Sequence, residues 1–142
     1  MGSVRKQILI DARPEDAWDA IRDFGAVHER VVPGFVVDTR MDGRDRIVTF
    51  ASGHVQREPL LDLDDDLRRL AYSAVDSPIG ATHYQGSVQV FGEPDGRARV
   101  EWLVDFLPDQ LRDVLDEIMD RGAAVMRETL SATPAGRPAT RA

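Results

Sequence analysis

Between Phe35 and Leu107 the sequence runs through six strand-like segments in short succession, and Pro108 separates them from one long amphipathic stretch. This order limits the fold more than any other feature. Segments 35–41 and 46–52 flank Asp42-Gly43, a dipeptide suited to the positive φ that tight hairpins need. Segments 54–63 and 70–75 flank Asp64-Asp65-Asp66, and segments 83–91 and 97–107 flank Glu93-Pro94-Asp95-Gly96. Three successive hairpins make an antiparallel sheet. Asp109 is expected to cap a helix that reaches Leu130, with Leu111, Leu115, Ile118, Met119, Gly122, Val125, Met126 and Thr129 on or near one face.

The start of the chain supplies the rest. Residues 4–10 read as a first strand. Pro14, Glu15 and Asp16 then open a helix, because proline suits the first turn and acids suit its positive end. Ala17, Trp18, Ile21 and Phe24 give that helix an apolar stripe, Gly25 ends it, and residues 26–32 form a second short helical piece stopped by Pro33-Gly34. The expected class is α+β: a seven-stranded curved antiparallel sheet around a long C-terminal helix, with two short helices after the first strand. At 142 residues the chain suits one domain, placed at 1–130. Residues 131–142 are rich in Ala, Pro, Thr and Arg and lack large apolar side chains, so they read as a flexible tail.

Composition removes several functions. A formal charge of −7, with arginines scattered among acids, disfavours nucleic acid as a partner. No apolar run approaches the roughly 20 residues that span a bilayer, so no membrane insertion is expected. Ile8, Leu9 and Ile10 before Asp11 are far too few for a secretory leader, and there is no cysteine, which points to the cytoplasm. His28, His54 and His83 lie on separate elements without metal-ligand spacing, so neither metal nor other cofactor is expected. Asp62, Asp64, Asp65 and Asp66 lack the spacing of a calcium loop and read as a hairpin tip.

A set of features recurs in order: Pro14-Glu15, Trp18, Asp23-Phe24, Arg57-Glu58, Arg68-Arg69, the run 70–73, Tyr84, Gly86, and Val100-Glu101-Trp102 before Pro108. Together they resemble the polyketide cyclase/dehydrase and lipid-transport family of the START-like (SRPBCC) superfamily, over about residues 4–130. The resemblance implies a helix-grip fold with a cavity between sheet and last helix. The branch with the plant abscisic-acid receptors is similar from Glu58 through Tyr84 to Glu101, positions that carry polar ligand contacts in that branch. Its mobile gate is replaced here by Ser52-Gly53-His54-Val55, its latch by Gly80-Ala81-Thr82, and its pocket lysine has no match near Val31. A hormone-receptor switch is therefore not expected.

On this basis Glu58, Tyr84 and Glu101 are the candidate catalytic residues. A carboxylate in apolar surroundings binds its proton more tightly and can exchange it with a substrate, while a phenol donates to a developing enolate. That chemistry suits cyclisation or dehydration. The candidate ligand-binding residues are Trp18, His28, His54, Tyr72, Trp102, Met119, Ala123 and Met126. Gly122, Ala123 and Ala124 would remove bulk in mid-helix, Met119 and Met126 would adapt to ligand shape, and His28 or His54 would stand at the mouth. Each has a plainer alternative. The small residues suit ordinary helix packing, Glu58 could pair with Arg57, Arg68 or Arg99 on the solvent face, and Tyr84 could be a strand aromatic. Alternation of Ala98, Val100, Trp102, Val104 and Phe106 would turn Glu101 outward unless a bulge shifts the register.

Three functions stay open: a cyclase or dehydratase, a non-catalytic carrier of a polyketide, aromatic or lipid-like ligand, and a regulatory partner protein without a ligand. The expected partner is an apolar small molecule, and the expected state is a monomer or homodimer.

Overall fold

The computed structural model describes residues 1–131. Strand β1 (Gly2–Ile10) leads into α1 (Pro14–Ile21), a 3-10 turn (Phe24–Ala26) and α2 (Val27–Arg30). The strands β2 (Val36–Asp42), β3 (Asp45–Phe50), β4 (Val55–Asp64), β5 (Arg69–Ser73), β6 (His83–Gly92) and β7 (Ala98–Leu107) follow. A 3-10 turn (Asp109–Leu111) then enters α3 (Arg112–Ser131). The sheet order is β1-β7-β6-β5-β4-β3-β2, antiparallel throughout, so β1 and β2 form its two edges. The helix-grip arrangement follows from the sequence order: hairpins make neighbouring strands neighbours in the sheet, and the first strand can add only at the far side of β7.

Each hairpin forms for a local reason. Gly43 and Gly96 take φ of +65° and +90° in the turns after β2 and before β7, a region that penalises residues with a Cβ. Asp64 Oδ1 accepts the backbone N–H of Asp66 and of Leu67 at 3.0 Å each, so the acidic run is a turn that satisfies its own backbone.

Period-two burial runs along the inner face. In β7, Ala98, Val100, Val104 and Phe106 are fully buried and Trp102 nearly so, while the residues between them are half-exposed. The β6–β7 register is unbroken from His83↔Leu107 to Gly92↔Ala98. α3 lays Leu115, Met119, Gly122, Ala123, Met126 and Leu130 on the sheet at helical spacing. Lys6, on the inner side of β1, adds a clamp: its Nζ lies 2.6 Å from Asp116 and 2.7 Å from Asp120 on α3.

Two details of the helices differ from expectation. Asp109 makes no side-chain cap; its carboxylate pairs with the N-terminal ammonium at 3.1 Å, and Pro108 precedes the turn. Ser131 belongs to α3, and its hydroxyl accepts the Asp11 N–H at 3.0 Å, so the expected tail does not begin there. The rest of that expected tail, 132–142, lies outside the described residues. No helix among the described residues is long and apolar enough to cross a membrane.

Candidate functional site

Sheet and α3 enclose a cavity of about 520 Å³. Val48, Leu70, Val88 and Trp102 line it from the sheet, and Leu115, Met119 and Met126 from α3. Ser52, His54, Glu117 and Arg121 line it too but are exposed, which marks where it opens to solvent.

Deep in this apolar lining sits one polar cluster. Arg46 and Glu58 face each other directly across the β3–β4 ladder. Arg46 Nε donates to Glu58 Oε1 at 2.7 Å, and Gln56 Nε2 donates to Glu58 Oε2 at 2.6 Å. Arg46 Nη1 also donates to the Phe24 carbonyl at 3.3 Å, and the guanidinium lies 3.9 Å over the Phe24 ring and 5.1 Å from that of Tyr72. All three polar residues are buried, at 7% exposure for Arg46 and 5% each for Gln56 and Glu58. Burying a charge is costly unless it is paired and hydrogen-bonded, and here both conditions are met.

Two phenols stand beside the pair. The Tyr72 oxygen accepts from Trp102 Nε1 at 3.0 Å, and the Tyr84 ring is tilted against it with centroids 6.4 Å apart. Gly86 lies opposite Tyr72 in the β5–β6 register, and a Cβ there would come within 2.4 Å of Tyr72 Cζ. The ring has its place because residue 86 has no side chain. Burial pushes the Tyr72 phenol up to about 12, and the nearby Glu58 carboxylate adds to the rise. Burial, then Tyr72 and Glu58, pushes Tyr84 well above its ordinary value. Both are protonated donors at neutral pH.

The structure therefore gathers Glu58, Tyr84, Tyr72, Trp102, Met119 and Met126 around one space, with His54 at its mouth. It leaves out four of the residues chosen from sequence. Glu101 points away: the register of β7 has no bulge, so alternation turns it to the outer face, where it pairs with Arg99 and accepts from Gln7 Nε2 at 3.0 Å. Trp18 is buried outside the cavity, and its Nε1 donates to Asp65 at 2.9 Å, pinning α1 to the β4–β5 turn. The Arg22 guanidinium, first, and that Trp18 bond hold the Asp65 carboxyl below its usual value. His28 is half-buried in α2 and does not line the cavity; its Nδ1 is buried without a partner among the described residues. Ala123 is buried against the sheet beside Gly122, where a Cβ would meet Trp102 at 3.0 Å and Phe35 at 3.2 Å. The small residues thus let the helix approach closely; they do not widen the space, and Ala124 faces solvent.

Arg46 and Gln56 escaped the sequence reading. Two of the three solvent-side partners considered for Glu58 are engaged elsewhere, Arg57 with Asp42 and Asp45 and Arg99 with Glu93 and Glu101. The available signal was parity: Arg46 shares a strand face with Val48, and Glu58 with Gln56, so opposite charges meet on the inner side of one hairpin. Among the described residues no three His, Asp or Glu side chains gather as a metal site.

The sequence matches a family described as polyketide cyclase / dehydrase and lipid transport over residues 1–135. The chain belongs to this family. Solved structures share the helix-grip fold of this chain. XoxI from Bacillus cereus is 21% identical, with a TM-score of 0.83 over 93% of this chain and 97% of its own. Norcoclaurine synthase from Thalictrum flavum is 18% identical, with a TM-score of 0.72 over 92% and 84%. The ZhuI aromatase/cyclase from Streptomyces is 16% identical, with a TM-score of 0.71 over 98% of both chains. At these identities the likeness establishes the fold. No curated protein matches the sequence significantly.

Proposed function

We propose that this chain binds an apolar small molecule, of polyketide, aromatic or lipid-like kind, between its sheet and α3. The observation that carries the reading is a mostly apolar cavity of about 520 Å³, open to solvent at one end, whose lining includes the cluster of Arg46, Gln56, Glu58, Tyr72 and Tyr84. Ligand cavities of roughly 300–1,000 Å³ with a few convergent polar groups hold drug-sized molecules. Such a void costs stability when empty, because its lining loses contacts. Membership of a family described by cyclisation, dehydration and lipid transport supports the same reading.

A second reading adds chemistry, and the placement of Tyr84 and Glu58 in the lining of one cavity favours it. Tyr84 would donate its hydrogen to a substrate oxygen on which charge develops, and Glu58 would exchange the proton. Two similar structures carry enzyme names, an aromatase/cyclase and a synthase. Binding is nonetheless preferred, because both Glu58 oxygens are already held by Arg46 and Gln56.

The test is a titration of the purified chain with the neutral fluorescent probe N-phenyl-naphthylamine, paired with native mass spectrometry. Saturable binding of one probe per chain supports the reading, and a chain that binds neither probe nor co-purified ligand refutes it. For the second reading, Tyr84→Phe and Glu58→Gln are compared on a polyketide substrate; turnover equal to wild type removes both roles.

A further inference from the structure

The buried wall of the cavity carries no net charge. Arg46 and Glu58 neutralise each other, the buried Tyr72 and Tyr84 phenols are uncharged at neutral pH, and the remaining ionisable lining residues, His54, Glu117 and Arg121, are exposed at the mouth. Glu117 and Arg121 are moreover paired with each other at 2.9 Å. A ligand carboxylate pushed to the inner end would add a third charge to a pair that is already neutral, and burying such an excess charge is costly.

Hydrogen-bond roles at the same wall are fixed as well. An indole N–H can only donate, so Trp102 occupies a lone pair of the Tyr72 oxygen and leaves the Tyr72 hydrogen to be donated. Glu58 already accepts from Arg46 and Gln56, so the Tyr84 oxygen, the Gln56 amide oxygen and an oxygen of the ligand are the acceptors that remain for it. Gly86 and Trp102 hold the Tyr72 ring in the cavity lining.

We infer that the cavity selects an uncharged oxygen acceptor at the inner end of its ligand, a ketone, quinone or un-ionised phenol in preference to the carboxylate of a fatty acid. Tyr72 is the donor that recognises it, and Trp102 is a positioning residue acting through Tyr72. The inference rests on the binding reading above and deepens it. A site built to donate one hydrogen bond discriminates against ligands that lack the acceptor, because its buried polar group is then left unpaired.

The experiment uses three matched ligands, acetylnaphthalene, ethylnaphthalene and naphthoate, each displacing N-phenyl-naphthylamine from the full chain. Tyr72→Phe is expected to weaken the ketone about fivefold to tenfold while changing the hydrocarbon less than about twofold. Trp102→Phe, which keeps a ring and removes the N–H, is expected to move the ketone in the same direction by about threefold. Naphthoate is expected to bind wild type about tenfold more weakly than the ketone. Naphthoate binding as tightly as the ketone overturns the inference, and so does a ketone-to-hydrocarbon ratio that Tyr72→Phe leaves unchanged. Should that variant not fold, Trp102→Phe and the wild-type ligand order decide. Loss of the probe signal in wild type would instead refute the cavity reading itself, so the two failures are distinguishable.

Discussion

Replacing Glu58 by leucine should be among the most damaging single changes in the chain. The Arg46 and Glu58 side chains are only 9% and 6% exposed, and the bond between them is 2.7 Å. Without the carboxylate, Arg46 Nε and the Gln56 amide both lose their acceptor, and the guanidinium keeps the 3.3 Å bond to the Phe24 carbonyl and the faces of the Phe24 and Tyr72 rings. Stranding one member of a buried ion pair costs about 3–5 kcal/mol. For a chain of this size that corresponds to a fall in Tm of about 10–20 °C. Urea unfolding followed by circular dichroism measures the first quantity, and a thermal scan the second. Arg46→Met combined with Glu58→Leu removes both charges and should recover to within about 2 kcal/mol of wild type. A loss below about 1 kcal/mol for Glu58→Leu, or a double variant as unstable as the sum of the singles, would refute the buried pair.

Two further outcomes follow from the same cluster. Because both tyrosines of the chain titrate above their ordinary value when folded, their contribution to stability should be flat below about pH 10 and be lost as the pH rises from there toward about 12. The slope is about 1.4 kcal/mol per pH unit for each phenol, since the unfolded chain releases the protons first. Alkaline denaturation read by tyrosinate absorbance checks it, and a tyrosine ionising near pH 10 in the folded chain would contradict it. Gly86→Ala places a Cβ within 2.4 Å of Tyr72 Cζ, so the ring must move. The expected loss is about 1–3 kcal/mol together with weaker probe binding, and an unchanged unfolding midpoint would contradict the contact.

Strand order and pairing were readable because turn residues and period-two alternation are local: Asp42-Gly43 and Gly96 mark hairpins whatever else the chain does. Glu101 was legible only in part. Its neighbours Val100 and Trp102 argued that it faces outward, and only the unbroken register settled that. Arg46 was hidden because an arginine in a strand reads as a solvent residue, and its burial depends on a glutamate twelve positions away with which it shares a hairpin. Gly122 was read as making room, but a glycine that opens space and one that permits close packing look the same until the Trp102 and Phe35 rings are placed against it. Trp18 shows the same limit, since nothing in its helical stripe indicates that its N–H is aimed at Asp65.

The two tryptophans allow the most direct test of the central claim. Trp102 lines the cavity and its indole N–H is bonded to Tyr72, whereas the Trp18 N–H is bonded to Asp65 outside it. In an NMR titration of the ¹⁵N-labelled chain with acetylnaphthalene, the Trp102 indole signal should shift in a saturable way while that of Trp18 stays in place. A ligand that shifts Trp18 and leaves Trp102 unmoved, or moves neither at saturating concentration, would contradict a binding site between the sheet and α3.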